Sequence, residues 1–304
     1  MPIKLKYIGF NQGNPDFHKT DTITRFFKPD DAVVNNINDA NILLIGDYVN
    51  NYDVNAIQSF NKLKIQYIAE PIMNLPYCPI SKYIYQHNLC SFKIGCVPNS
   101  PEDRCIKYPL YLLFPNLSEK STFTNVNEYV NTCDIHNKKF CVLINRHDMG
   151  NTRTPIHNKL NKFDRIDCFG RLLNNCSNVE LNVVGIPEYV KKYKFIICTE
   201  NYYNDHPGYI TEKILNACLS GAIPIYNGIF DLIDLEIFNV DRILQINPTN
   251  VDEIANRVKY LIDHPDDLEN FYRQPVFKDT ACETIANLNN SININIDMIR
   301  KSIM

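Results

Sequence analysis

The chain has 304 residues, of which 45% are hydrophobic, which is enough for two domains of ordinary size with substantial cores. Its 31 Lys and Arg residues are outnumbered by 34 Asp and Glu, the net charge is −3, and the basic residues do not form runs. This balance argues against a protein that binds nucleic acid by broad phosphate neutralisation, and against a polybasic patch for membrane surfaces.

The N-terminal sequence MPIKLKYIGF has no apolar segment long enough for a signal peptide. No stretch approaches the roughly 18 apolar residues of a transmembrane helix. We therefore expect a soluble, cytoplasmic protein without a transmembrane segment. The 11 cysteines show no C-x-x-C pair and no Cys/His spacing typical of zinc sites, so we expect free thiols and no structural metal.

The first half of the chain alternates apolar runs with polar, Asn-rich loops. Strands are predicted at Ile3–Phe10, Ala40–Ile45, Leu63–Ala69 and Phe92–Val97, and a helix at Val54–Lys62. The polar segment Ser118–Lys138 has few apolar anchors, and it is the best candidate for a linker, although Val126–Val130 could form a short helix.

The second half continues the alternation of strands and helices. Strands are predicted at Phe140–Asn145, Ile166–Gly170, Lys194–Cys198, Ala222–Tyr226 and Arg242–Ile246. Helices are predicted at Pro155–Phe163 with Thr154 as N-cap, Glu188–Lys192, Val251–Asp263 and Cys282–Ile303.

This alternation predicts an α/β protein with two Rossmann-like domains, whose parallel sheets face a central cleft. We expect an N-terminal domain over residues 1–130, a C-terminal domain over 138–280 and a helical tail over 281–304.

The segment from Tyr193 to Gly228 is the most informative part of the chain. It reads as a buried strand, a polar loop, a helix and a second buried strand, and such a loop lies where open α/β sheets bind ligands. Lys213 falls in the first turn of the helix, where a cation is unfavourable unless an anion lies against the same helix end. The segment therefore predicts a phosphate site, although a solvated surface lysine is the alternative.

The same segment resembles the signature of glycosyltransferase family 10, the α1,3/α1,4-fucosyltransferases. The matching residues are Phe195, Glu200, Asn201, Tyr209, Ile210, Thr211, Glu212, Lys213, Ala217, Pro224 and Gly228. The chain departs from the pattern at Thr199, where the family usually has Phe, and at Tyr202, where Ser is common. The resemblance implies the two-domain architecture called GT-B, in which the acceptor would bind the N-terminal domain and the nucleotide sugar the C-terminal domain.

It also implies an inverting, metal-independent transfer of L-fucose from the nucleotide sugar GDP-fucose to a glycan acceptor, with no cofactor besides the donor. No Asp-x-Asp motif for a metal occurs, since pairs such as Asp266 and Asp267 are adjacent. The residues expected at the donor are Asn145, Arg153, Arg171, Glu200, Asn201, Tyr209, Thr211, Glu212 and Lys213. Arg171 would contact the phosphates, for which a bidentate guanidinium suits better than an ammonium, and Glu212 the ribose hydroxyls.

The general base is expected on the N-terminal domain. Glu70 follows the predicted strand that ends at Ala69, and a carboxylate at a strand end can take the proton of an acceptor hydroxyl. Glu102 and Asp103 are rivals in a polar turn. Two alternatives stay open, namely the same chemistry with another nucleotide sugar and a catalytically idle protein that binds a nucleotide sugar or glycan.

Overall fold

A computed structural model describes residues 2–10, 31–71, 78–100, 102, 104–113, 117–176, 185–203 and 207–302. The chain forms two compact units. The first comprises Met1–Leu113 with Asn287–Met304, and the second comprises Phe114–Ala286.

In the described residues, the N-terminal segment of the first unit forms six strands and two α-helices. The strands are β1 (Lys4–Ile8), β2 (Ala32–Val33), β3 (Ile42–Ile45), β4 (Leu63–Ile68), β5 (Phe92–Gly95) and β6 (Cys105–Lys107). The helices are α1 (Asp53–Ser59) and α2 (Pro79–Gln86).

These strands form one parallel sheet in the order β2-β1-β3-β4-β5-β6. All four residues of β3 are buried, as expected for a central parallel strand that is covered on both faces. Leu43 and Ile45 pack in a cluster with Ile57 of α1 and Ile84 of α2. The apolar faces of the two helices thus cover this sheet.

In the second unit, the part of the chain that the structure describes forms five strands and most of the helices. The strands are β7 (Lys139–Ile144), β8 (Ile166–Phe169), β9 (Tyr193–Ile197), β10 (Ile223–Tyr226) and β11 (Leu244–Gln245). The helices are α3 (Lys120–Thr132), α4 (Arg153–Leu160), α5 (Ile186–Val190), α6 (Glu212–Ser220), α7 (Leu232–Leu235), α8 (Val251–Asp263) and α9 (Pro265–Tyr272). The final helix, α10 (Ala281–Lys301), begins in the second unit and belongs to the first unit from Asn287 onward.

The second sheet is also parallel and has the order β11-β10-β9-β7-β8. Thr211 caps the N-terminus of α6, because its hydroxyl accepts from the backbone N–H of Lys213. Gly221, in the left-handed conformation, caps the C-terminus. The segment that runs from β9 through α6 to β10 therefore contains the strand, helix and strand predicted from its sequence pattern.

Two local predictions are wrong. The segment expected to be a linker contains the 13-residue helix α3, which buries Phe123 and Val130. Helix α4 begins at Arg153 and not after Thr154, because the carboxylate of Asp148 accepts hydrogen bonds from the backbone N–H groups of residues 152, 153 and 154. No helix in the described part of the chain is both long and apolar enough to cross a membrane.

Candidate functional site

The connections of the second sheet diverge between β7 and β9. The chain leaves β7 for the edge strand β8 and then returns to β9 on the other side of β7. Open α/β sheets bind ligands outside the carboxyl ends of the strands at such a switch point. The loops that follow β7 and β9 carry or lead directly into eight of the nine expected donor residues, all except Arg171, and they are described next.

Glu200, which follows β9, is the centre of the hydrogen-bond network at this point. Its carboxylate is fully buried and accepts from the backbone N–H and hydroxyl of Thr211, the ammonium of Lys213 and the phenol of Tyr226, at 2.7–3.1 Å. The backbone N–H of Glu200 donates to the side-chain oxygen of Asn227. One carboxylate thus ties the end of β9 to the N-terminus of α6 and to the end of β10.

Lys213 pairs with two carboxylates of the chain. Its Nζ lies 3.1 Å from Glu200 Oε2 and 3.8 Å from Glu212 Oε1, and its side chain is 20% exposed. Burial alone would lower the pKa of Lys213, but the two glutamates outweigh that effect and the pKa is raised above its ordinary value. The sequence predicts an anion beside Lys213 at this helix end, and in the structure the carboxylate of Glu200 is such an anion.

Arg153 is buried, and the chain itself occupies its guanidinium. Nε donates to the hydroxyl of Thr199 at 3.2 Å, and Nη2 donates to the carbonyl of Thr199 at 2.7 Å and to Oδ1 of Asn201 at 3.2 Å. Nη1 donates to the carbonyl of His147. Arg153 thereby joins the β7–α4 loop to the loop after β9, and Thr199, a departure from the family pattern, supplies two of its acceptors.

Asn145 and Arg171 lie at the carboxyl ends of the neighbouring strands β7 and β8. The side-chain Oδ1 of Asn145 is buried and finds no hydrogen-bond partner among the residues that the structure describes. Arg171 is exposed and follows Gly170, which has φ +91°. A Cβ at Gly170 would lie 2.3 Å from the carbonyl oxygen of Asn145, so only glycine allows these two strand ends to approach.

The remaining donor candidates take different positions. Tyr209 and Thr211 are buried, with exposed fractions of 4% and 1%, and Thr211 caps α6. Glu212 is partly exposed in the first turn of α6. Hydrogen bonds and ion pairs therefore connect Arg153 to Asn201, and Glu200 to the start of α6, whereas Arg171 has an exposed side chain at the sheet edge.

Glu70 lies in the first unit, after β4, as predicted. Its Oε1 accepts from the phenol of Tyr48 at 3.2 Å. Asp47, which follows β3, accepts from the backbone N–H groups of Ala69 and Glu70 at 2.9 and 3.1 Å. Glu102, the rival base, is exposed, and Asp103 lies outside the described residues.

Sequence reasoning missed Asp47 and Tyr226. Burial raises the pKa of Asp47 to about 8, the two backbone hydrogen bonds oppose this shift, and the charge of Glu70 adds to it. Asp47 carries the same sequence signal as Glu70, a carboxylate within two residues of the end of a buried strand. Burial and Glu200 raise the pKa of Tyr226, which keeps its phenol a donor.

A metal site was not expected from the sequence. Among the described residues, no group of three or more His, Cys, Asp or Glu side chains is arranged to hold a metal ion.

Two parallel α/β sheets, with a polar network at the switch point of the second, are typical of GT-B glycosyltransferases. The crystal structure of an α1,3-fucosyltransferase with GDP-fucose aligns with a TM-score of 0.65 and 18% identity over 96% of this chain and 90% of that one. The Anabaena protein HepE, solved with UDP and glucose, aligns with a TM-score of 0.56 and 10% identity over 97% of this chain and 100% of that one. The expected GT-B fold class is thus confirmed.

Sequence comparison identifies the family. The profile described as "Glycosyltransferase family 10 (fucosyltransferase) C-term" matches residues 134–287, and the chain belongs to this family. A putative fucosyltransferase of Acanthamoeba polyphaga mimivirus is 27% identical over 219 residues, which are 62% of this chain and 30% of that protein. The alpha-(1,3)-fucosyltransferase FucT of Helicobacter pylori is 31% identical over 126 residues, 41% of this chain and 25% of that protein. The matches thus span less than a third of either relative.

Proposed function

We propose that the chain transfers L-fucose from GDP-fucose to a hydroxyl of a glycan acceptor, with inversion at the sugar carbon and without a metal ion. Membership of glycosyltransferase family 10 supports the donor, because family relatives are named as fucosyltransferases and a protein of the same fold was solved with GDP-fucose. The observation that carries the proposal is the way Glu200 fixes Lys213 and the start of α6 at the switch point of the matched sheet.

On the donor side, the departing GDP needs positive charge and hydrogen-bond donors at its phosphates. The N-terminus of α6 supplies backbone N–H groups, and Lys213 lies in its first turn with part of its side chain exposed. We propose that the exposed guanidinium of Arg171 grips phosphate oxygens from the end of β8, and that the unpartnered Oδ1 of Asn145 accepts a hydrogen bond from the nucleotide sugar.

Arg153 has a supporting part in this proposal. Its guanidinium is buried and bonded to Thr199 and Asn201, so it holds the loop that carries the donor residues. Glu200 also supports the site without contacting the donor, because its carboxylate oxygens accept hydrogen bonds from Thr211, Lys213 and Tyr226. Glu212 remains the partly exposed carboxylate for the ribose hydroxyls.

In the reaction that we propose, the acceptor oxygen attacks C1 of fucose while the bond from C1 to the phosphate oxygen breaks. Glu70 takes the proton of the acceptor hydroxyl, and the electron pair of the broken bond leaves with GDP. A single displacement of this kind inverts the configuration at C1. Glu70 suits the role because it lies at a strand end and already receives a phenol hydrogen bond, from Tyr48.

A thermal-shift panel tests the donor and the metal. The full chain is heated with GDP, UDP or ADP, each with and without EDTA. We expect GDP to raise the melting temperature most, and EDTA to leave that shift unchanged. A larger shift with UDP would favour another nucleotide sugar, and a shift that EDTA removes would refute the metal-independent reaction.

Glu70→Gln tests the base. We expect the rate of fucose transfer to fall by about 10²–10⁴-fold, the usual contribution of general base catalysis, while the dissociation constant of GDP stays the same. Glu102→Gln, at the exposed rival position, is the matched control and should transfer at the wild-type rate. Undiminished turnover in Glu70→Gln would remove Glu70 from the reaction, and GDP binding without transfer in the wild type would favour the idle protein.

A further inference from the structure

The first sheet has a switch point of its own, between β1 and β3. The chain leaves β1 for the edge strand β2 and returns to β3 on the other side. A pocket of about 740 Å³ lies at this point, within the range of roughly 300–1,000 Å³ that ligand sites occupy. Gly9 and Phe10 line it after β1, and Tyr48, Asn50 and Tyr52 line it from the loop between β3 and α1.

Two tyrosine rings in this lining are exposed to solvent. Tyr52 is 78% exposed and Tyr48 is 43% exposed. The ring of Tyr52 is held in place, because Nδ2 of Asn50 donates to its phenol oxygen at 2.8 Å and the backbone N–H of Asn50 donates to Oδ2 of Asp53 at 3.3 Å. A large exposed ring with a fixed orientation offers a flat apolar face to a ligand.

Among the described residues that line the pocket, the remaining polar groups carry almost no net charge. Lys6 and Asp53 are the only ionic side chains of this described lining, and their charges cancel. Asn35, Asn36 and Asn50 add amide groups, each of which can both donate and accept hydrogen bonds. A nucleotide would also stack on tyrosine, but its phosphates would meet one lysine and one aspartate of opposing charge. Flat apolar rings beside neutral amides suit a ligand with one apolar face and many hydroxyls.

We propose that this pocket binds a neutral saccharide, with one sugar ring stacked on Tyr52 and its hydroxyls hydrogen-bonded to the asparagine amides. Under the proposed function, on which this part of the inference rests, the saccharide is the acceptor glycan. Tyr48 connects the two sites, because it lines the pocket and donates to Glu70 Oε1 at 3.2 Å. A sugar seated in the pocket would therefore lie beside the group proposed as the base.

Binding of saccharides to the full chain tests the proposal without requiring turnover. Saturation-transfer NMR is run with maltose, lactose and chitobiose as neutral probes and with a glucuronate-containing disaccharide as the anionic probe. We expect at least one neutral probe to bind, and Tyr52→Ala to weaken it about tenfold or more. Tyr52→Trp, which keeps an aromatic face, should retain the affinity. Tyr83→Ala, a partly exposed tyrosine of α2 outside this pocket, should leave it unchanged.

Three results would overturn the proposal. They are the absence of binding by every neutral probe, equal binding by wild type and Tyr52→Ala, and a preference for the anionic probe. The melting temperature of each variant checks that it is folded. The affinity for GDP, measured on the same variants, should not change with Tyr52→Ala, and a loss there would assign the pocket to the nucleotide. If GDP fails to bind the wild type while Tyr52→Ala still loses the saccharide, the proposed function fails and the saccharide pocket stands.

Discussion

The carboxylate of Glu200 lies 3.1 Å from the ammonium of Lys213, across the N-terminus of α6. A lysine in the first turn of a helix is repelled by the positive end of the helix dipole, and here a buried glutamate from the preceding strand end offsets that repulsion. The pairing also explains why Glu200 is tolerated in the core, since four hydrogen bonds and a counter-charge satisfy it.

Glu200→Gln should therefore destabilise the second unit strongly. The substitution keeps the size of the side chain but leaves the ammonium of Lys213 without its nearest counter-charge, and breaking a buried pair costs about 3–5 kcal/mol. We expect the free energy of unfolding to fall by about that amount and the affinity for GDP to fall with it. Because the chain contains no Trp, unfolding in urea is followed by circular dichroism.

Asp263→Asn is the matched control, because it removes an exposed pair between Lys259 and Asp263 on α8. Such a pair contributes about 0.3–0.5 kcal/mol. If Glu200→Gln were no more destabilising than this control, the network centred on Glu200 would not hold the site together.

Thr199 gives a second prediction, which concerns the departure from the family pattern. Its hydroxyl accepts from Nε of the buried Arg153, so Thr199→Val leaves a buried charged donor unpaired while preserving the shape of the side chain. We expect a loss of about 1–3 kcal/mol in the free energy of unfolding. Thr199→Ser keeps the hydroxyl and should lose clearly less. Equal losses would mean that packing, and not the hydrogen bond to Arg153, is what the threonine supplies.

The strands of both sheets could be predicted from the sequence because a buried parallel strand is a continuous apolar run. Helix α3 could not, since only Phe123 and Val130 are fully buried along its 13 residues and the segment reads as polar. A carboxylate close after an apolar run can also be recognised from sequence, and both Glu70 and Asp47 meet this criterion.

The hydrogen-bond partners of the site residues could not be predicted from these sequence patterns. Glu200 and Tyr226 are 26 residues apart and meet only because β9 and β10 are adjacent in a parallel register. Arg153 reaches Thr199 across 46 residues for the same kind of reason. Sequence patterns indicate which end of a strand carries polar residues, whereas the pairing of those residues follows from the order of the strands.

Asp47 should make the stability of the first unit depend on pH. Its pKa rises from 3.8 in the unfolded chain to about 8 in the fold, because it is buried beside Glu70. Between these two pKa values the folded chain holds a proton that the unfolded chain has lost, so stability falls as the pH rises and levels off above the higher value.

Asp47→Asn removes this titration. Between the two pKa values, we expect the free energy of unfolding of this variant to fall less steeply with pH than that of the wild type. The two slopes should differ by up to about 1.4 kcal/mol per pH unit. Asp39→Asn, at an exposed position of the same unit, should keep the wild-type slope. Parallel profiles for wild type and Asp47→Asn would show that Asp47 is ionised in the fold at all these pH values.

The buried Arg242 has no carboxylate partner among the residues that the structure describes, so it tests whether such a charge can still stabilise the second unit. It is 1% exposed, and it donates to the carbonyls of Tyr272, Ala222 and Gly221 at 2.6–3.0 Å, with its guanidinium 5.0 Å from the ring centre of Tyr272. Burial lowers its pKa to about 10, so it stays charged at neutral pH. It joins the end of α6 and the start of β10 to α9.

Arg242→Lys keeps the charge but cannot reach three carbonyls in the planar geometry of a guanidinium. We expect the free energy of unfolding to fall by about 2–4 kcal/mol, because buried carbonyls lose their donor and the stacking on Tyr272 is lost. Arg257→Lys, at an exposed position of α8, is the matched control and should change stability by less than about 0.5 kcal/mol. The affinity of the folded Arg242→Lys variant for GDP should equal that of the wild type, since Arg242 bonds to none of the residues proposed at the donor. A weaker affinity at undiminished stability would place Arg242 in the binding site instead.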